Sequence, residues 1–549
     1  MSEQAVAPPV ASPAARGPLP IVLGLVFAVP ALILLLTSYV VPAIWTIRAG
    51  FQRRDGLSDP VDVGTQNYDR AINGEFWAAF GYALLIGLIP LLLVLTVAPA
   101  LAWAAHRTGV TGRWVTRVVL SLPLALLTPT GLALAWAVYQ QPLASDRGTA
   151  RAVVAVAIAV TLFGAVIAAG ATAYLAALRR RDPARSPWPA LLVVAALAGL
   201  TTLALAVQTF THPLLLTGGG PVHATQTPLL QIYDDGFRSF QFGPAAAAST
   251  VLLAVLAALG LAATILVIVT RLRLELDPTA RSADAAPPAS GTGPVALIVG
   301  GILLLAVLGG IISGNVPLLR GMFNGAATPE DLSAGKAFLD TYVPPLLSAG
   351  VGVAAAALAG FGIGALRPFG PRSELLLLPF GPFLFVGTGP LVIQGYTHLK
   401  DAGLVDTLAG LTSPSLIAIP ALFAFTLLGR GQAARAEQLR QAGAPVPWAR
   451  TYLLPALPML ALTFGATWLA QSQDVLWQLV AGMHDALTGP VLAIVAQSAY
   501  ATNPDSIPFA AVLPPAIAAL TLLAAVALQL WYLDRLALRV GAPEPDPEP

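Results

Sequence analysis

The sequence predicts an all-α membrane protein of about twelve transmembrane helices, arranged as two parallel six-helix repeats. Three observations carry this expectation. Of the 549 residues, 56% are hydrophobic and only 10% are charged, whereas a soluble chain keeps its surface in water with about 25% charged residues. Apolar runs such as 21–41 and 190–207 recur from end to end, each close to the roughly 20 residues that a bilayer core requires. One polar, proline-containing break at 271–294 divides these runs into two sets.

Taken in order, residues 1–19 are rich in alanine and proline and read as a disordered tail. No small-residue cleavage site follows the first apolar run, so that run is expected to stay as a helix and not to be a signal peptide. The first half, 20–270, should hold helices near 20–47, 77–105, 115–140, 150–178, 188–209 and 243–270. Residues 271–294, with Asp277-Pro278 and Pro287-Pro288, bury too little to order themselves and read as a cytoplasmic linker. The second half, 295–537, should hold helices near 295–313, 339–366, 375–395, 408–428, 456–478 and 508–535, and 538–549 form a C-terminal tail. Six helices bring each half back to its starting side, so the repeat axis runs along the membrane normal. A cytoplasmic N-terminus puts the larger share of the 29 basic residues inside, among them Arg179, Arg180, Arg181 and Arg185, and Arg430, Arg435, Arg440 and Arg450. Arg48, Arg53, Arg54 and Arg70 oppose that bias. Both termini are then cytoplasmic, in a multi-pass protein of the cell (inner) membrane.

Composition also excludes chemistry. The chain has no cysteine, so disulfides and thiolate sites are absent. Its lysines, Lys336 and Lys400, lie outside any Gly-Lys-Ser/Thr context. A P-loop needs that lysine on the nucleotide phosphates, so no Walker-type site is present and any ATP is used by another subunit. The histidines His106, His212, His223, His398 and His484 show no metal-ligand spacing, and no basic run points to nucleic acid. Trp77, Trp103, Trp114, Trp136 and Trp188 fall near predicted helix ends, where an aromatic belt belongs.

Four motifs stand out. Ala436-Glu437-Gln438-Leu439-Arg440-Gln441-Ala442-Gly443-Ala444 reads as a short polar helix ended by Gly443, with Pro455 near the start of the next helix. Gln208-Thr209-Phe210 leads to Thr217-Gly218-Gly219-Gly220-Pro221, then Tyr233, Phe237, Phe240 and Phe242-Gly243. Glycine and proline in that number make an irregular, closely approached loop, tolerated at membrane depth only where it is buried or lines a cavity. Val63-Gly64-Thr65-Gln66-Asn67-Tyr68 with Phe76-Trp77 precedes the second helix, and Gln473-Asp474-Val475-Leu476-Trp477-Gln478-Leu479 ends the eleventh.

These motifs resemble the permease subunits of binding-protein-dependent ABC importers of the maltose/glycerol-phosphate type. Residues 436–444 resemble the coupling loop that docks on the ATPase, although Gln438 and Leu439 replace the alanines after the glutamate and the interval to Pro455 is one residue short. The segments at 63–77 and 208–243 resemble one permease. Residues 473–479 resemble the Asn-Asp-Phe-Leu-Trp-Pro-Leu of its companion, as does Leu404-Val405-Asp406-Thr407. Tyr174-Leu175-Ala176-Ala177-Leu178 follows the family up to the point where the first half's own coupling loop should begin; only 179–187 stand there, with no glutamate-to-glycine motif.

The resemblance implies a type I importer permease fold with two permeases fused in one chain, moving a sugar or polyol as its small-molecule substrate. It implies ABC ATPase subunits against Glu437, Gln438, Leu439, Gly443, Ala444 and Pro455. It also implies an extracytoplasmic solute-binding protein over Thr217, Gly218, Gly219, Gly220 and Pro221. Gln208, Thr209, Phe210, Gln473, Asp474 and Trp477 are candidates for the substrate path. From the residues alone, Asp474 either lines that path or caps a helix end at the headgroup level. The chain itself is expected to catalyse nothing and to hold no cofactor or metal. The rival readings are an ion-coupled secondary transporter of six plus six helices and a coupling-deficient regulatory permease.

Overall fold

The computed structural model describes residues 18–54, 59–141, 144–179, 186–276, 293–324, 333–482, 484–500 and 503–541. Most of the predicted tail at 1–19, linker residues 277–292, tail residues 542–549 and Arg180 to Arg185 lie outside the described residues.

The protein is an all-helical, multi-pass membrane protein. Among the described residues, eight helices are long and apolar enough to cross a bilayer, or up to ten if two bent pairs each count as one span. In the first half these are α1 (Leu19–Gly50), α2 (Gly74–Arg107), the pair α3 (Gly109–Ala125) and α4 (Pro129–Gln140), the pair α5 (Arg147–Thr161) and α6 (Phe163–Leu178), and α7 (Trp188–Val207). Two short helices, α8 (Thr211–Thr217) and α9 (Pro228–Tyr233), precede the long α10 (Phe242–Val269). The second half holds α11 (Gly293–Asn324), α12 (Ala334–Leu366), α13 (Val392–Asp401), α14 (Ile419–Gln441), α15 (Ala449–Ser472), α16 (Val475–Ala481), α17 (Gly489–Tyr500) and α18 (Pro515–Arg535). Outward faces are apolar: Val269, Leu305 and Leu523 are each at least 70% exposed, an arrangement that lipid tolerates and water does not.

Several predicted spans are not single straight helices. Residues 115–140 bend by 82° between α3 and α4, because Pro129 starts a new helix that Thr128 caps by accepting from the Gly131 N–H at 3.3 Å. Residues 150–178 bend by 48° between α5 and α6. The helix expected at 375–395 is replaced by a 3₁₀ stretch, Gly370–Phe383, that contains Pro379 and Pro382, then a break, then the start of α13 at Val392. Proline removes the donors on which an α ladder depends. The helix expected at 408–428 begins only at Ile419 and runs on to Gln441, so Glu437 to Gln441 are the end of a long helix and not a separate short one.

The halves interlock. The largest buried apolar cluster mixes Leu35, Phe76 and Leu252 with Phe380, Leu422 and Trp477. α1 packs on α12, and α10 packs on the 3₁₀ stretch. At one end of the bundle, β1 (Gln52–Arg53) pairs with β2 (Val61–Asp62). At the other end, β3 (Arg273–Leu276) pairs antiparallel with β4 (Leu536–Arg539), so the first residues of the expected linker and of the expected tail are ordered against each other. β3 lies along α14 of the second half, and β4 lies along α6 of the first.

Candidate functional site

The site is assembled where helices end inside the bundle. α7 terminates at Gln208 and α15 at Gln473, each with near-identical backbone angles (φ −99°, ψ 9° and φ −110°, ψ 10°), and each is followed by a seven-residue helix. The two glutamines reach across the molecule in opposite senses. Gln208 Nε2 donates to the Phe385 carbonyl at 2.8 Å, and its Oε1 accepts from the Gly387 N–H at 2.9 Å. Both partners lie in the break between the 3₁₀ stretch and α13. Gln473 Oε1 accepts from the Thr128 hydroxyl, in the break between α3 and α4. Its Nε2 donates to the Val512 carbonyl at 3.2 Å. Each half thus clasps the broken helix of the other.

Between these clasps lies a cavity of about 550 Å³, lined by residues of both halves: Tyr39, Gln208 and Phe210 from the first, Thr388, Gln471, Gln473 and Asp474 from the second. Asp474 both caps a helix end and stands at the cavity wall. It caps α16, accepting from the Trp477 N–H at 3.4 Å, and its other oxygen takes the Thr388 hydroxyl at the cavity wall. Thr209 and Trp477 stand outside the lining. The Thr209 carbonyl accepts from the Thr227 hydroxyl at 2.6 Å, and buried Trp477 donates its indole N–H to the Gly410 carbonyl at 3.2 Å.

The glycine-rich segment sits at the same end as the clasps. α8 stops at Gly218 and Gly219, both in the left-handed region at φ 59° and 85°. Their N–H groups donate back to the Leu214 and Pro213 carbonyls, a glycine-terminated helix end. The Thr217 and Thr225 hydroxyls meet at 2.6 Å, and Thr225 holds the Gly220 carbonyl. The aromatic residues that follow form a ladder from Phe210 through Tyr233 and Phe237 to Tyr396 of α13, with successive centroids 5.3, 5.8 and 5.3 Å apart. Burial, reinforced by neighbouring Asp234, holds the Asp235 carboxyl above the usual carboxylate range. Asn67 from the first loop is buried and donates to the Gly50 and Gln52 carbonyls. Asp406 gathers the backbone N–H groups of His484, Asp485 and Ala486 at 2.9 to 3.0 Å.

At the opposite end, Glu437 is exposed beside Arg440 at 3.2 Å. Gly443, at φ 67°, ends α14 while the Ala444 N–H donates to the Leu439 carbonyl at 2.8 Å. A π turn over Ala449–Leu453 precedes Pro455, whose carbonyl accepts from the Tyr532 hydroxyl at 2.8 Å. Gln438 lines a pocket between α12 and α14.

Sequence reading missed several residues. Thr128 and Gly387, the receivers of the clasps, fall inside the helices expected at 115–140 and 375–395, where no break is expected. A buried ionic cluster also joins the halves. Asp534 accepts from Arg113 Nε at 2.7 Å, from Arg117 Nε at 3.1 Å and from the Trp114 indole at 3.4 Å, with Arg179 at 3.6 Å. Arg117 and Asp534 fall within predicted spans, which was the available signal. Trp114 turns its indole N–H to Asp534 and Trp136 is buried, whereas Trp77, Trp103 and Trp188 are exposed. His212 is buried, with Nε2 2.9 Å from the Thr161 hydroxyl. Among the described residues no group of three or more His, Cys, Asp or Glu is placed to hold a metal ion. No protein-family model matches the chain, and comparison with curated proteins finds no match.

Proposed function

We propose that the chain is the membrane permease of an ATP-driven importer, with two six-helix permease halves fused and ATPase subunits supplied by other chains. The observation that carries this reading is the cavity between the halves, bounded by two reciprocal glutamine clasps at helix breaks. Such a cavity, built from equivalent points of two repeats, is where alternating access needs its substrate site. Its wall offers amides and hydroxyls with a single carboxylate, Asp474, a lining suited to a neutral polyhydroxylated solute such as a sugar or polyol. The exposed end of α14, Glu437 to Ala444, supplies a protruding helix terminus for an ATPase to grip. The segment Thr217 to Pro221, at the far end, is the surface for an extracytoplasmic solute-binding protein.

The test is reconstitution with the ATPase that co-purifies from native membranes. Solute-binding protein should stimulate hydrolysis, and Glu437→Ala with Gly443→Pro should release the ATPase. A second reading is favoured by Asp474, a carboxylate at the cavity wall: an ion-coupled carrier. Uptake in vesicles without ATP that collapses with the proton gradient would establish that reading and end the first.

A further inference from the structure

A second cavity, of about 660 Å³, opens at the arginine-rich end of the bundle between α14, α15 and α18. Arg435, Arg450 and Arg535 line it, and no acidic residue does among the described residues. Among the described residues the nearest acids in sequence are paired elsewhere: Glu275 with Arg273 and Arg539, Glu437 with Arg440, and Asp534 with Arg113, Arg117 and Arg179. Arg435 donates to the Leu276 carbonyl at 2.7 Å, a neutral partner. Arg535 Nε is buried with no hydrogen-bond partner. Besides Gln432, Thr451 and Tyr532 the remaining wall is apolar, and it runs from the arginines along the spans past Leu454 and past Trp531 to Leu528. Leu454 is 57% and Trp531 65% exposed, so the cavity opens sideways, toward where acyl chains lie.

We infer that this cavity binds the headgroup of an anionic phospholipid, its phosphate held by Arg435, Arg450 and Arg535 and its acyl chain laid against Leu454, Leu528 and Trp531. Three cations that share no carboxylate among the described residues make an anion-binding pocket at the membrane-water boundary, and basic pockets between spans recognise acidic lipid headgroups. The apolar wall selects a lipid over a free anion. The inference does not depend on what the protein transports.

The experiment is native mass spectrometry of the full chain extracted from vesicles of equal phosphatidylglycerol and phosphatidylcholine, with thermal unfolding in each lipid. Wild type should retain phosphatidylglycerol selectively and be stabilised by it. Arg450→Gln with Arg535→Gln should lower that retention about 30-fold, at roughly the weight of one tenfold step or less per basic residue. Arg435 is left intact because it also holds β3. Leu454→Trp, which fills the wall and keeps every charge, should also lower lipid retention, and Arg48→Gln at the other end should not. Unchanged retention in the double variant overturns the site. Displacement of the lipid by inorganic phosphate alone, with equal stabilisation, would make it a free-anion site and overturn the lipid assignment. Loss of the lipid on binding a protein partner at the same arginines would assign the cavity to that partner instead.

Discussion

Gln473 does two jobs with one side chain, accepting from Thr128 and donating to Val512. Removing it strands the Thr128 hydroxyl in a buried place, where an unmade hydrogen bond costs about 1–3 kcal/mol, while the Val512 carbonyl keeps the Tyr342 hydroxyl at 3.1 Å. Gln473→Ala should therefore lower unfolding stability in micelles by about that amount, and Gln473→Ala with Thr128→Ala should cost less than the sum of the single changes. Additive losses would show that the two side chains do not interact. Both clasping glutamines and Asp474 were legible in the sequence, because polar residues at the end of an apolar run are conspicuous. Their receivers were not: Gly387 contributes only its backbone, and Thr128 sits in a Leu-Thr-Pro stretch with nothing unusual in its composition.

Among the elements, α10 shows how closely the halves approach. A Cβ on Gly260 would stand 2.2 Å from the Gly381 carbonyl oxygen, in the 3₁₀ stretch of the other half. Backbone cannot yield as a side chain can, so Gly260→Leu should exceed the usual 1–3 kcal/mol or so of overpacking and abolish the folded protein in detergent. Gly301→Leu, where nothing lies within 4 Å, should leave the yield unchanged. An equal yield from both variants in size-exclusion chromatography would refute the close approach. Most spans were legible, since hydropathy over a window reports burial in lipid directly. The break at 384–391 and the late start of α14 were not, because a window average ignores where prolines remove ladder donors.

Across the whole molecule, the two halves are held by contacts at both ends and through the core: the glutamine clasps, the shared apolar cluster, the Asp534 cluster and the β3–β4 pair. A protease site inserted between residues 277 and 292 should therefore leave the cut halves co-eluting after cleavage. Adding Asp534→Asn, which leaves Arg113 and Arg117 without their buried counter-ion, should cost about 3–5 kcal/mol and lower the temperature at which the halves separate. Halves that separate on cleavage alone would show that the linker, and not the packing, joins them.

Composition and the spacing of apolar runs were enough to determine a multi-pass helical membrane protein with a polar division at its middle, because lipid exposure leaves its mark on every residue of a span. The motifs at 208–221 and 473–477 could be singled out for the same reason, as polar or irregular residues where lipid would reject them. Only the tertiary structure decided which breaks the glutamines clasp, that Arg117 and Asp534 neutralise each other, and that β3 meets β4. Those are pairings between residues hundreds of positions apart, and a pairing depends on where the chain returns, a property that no local run of residues encodes.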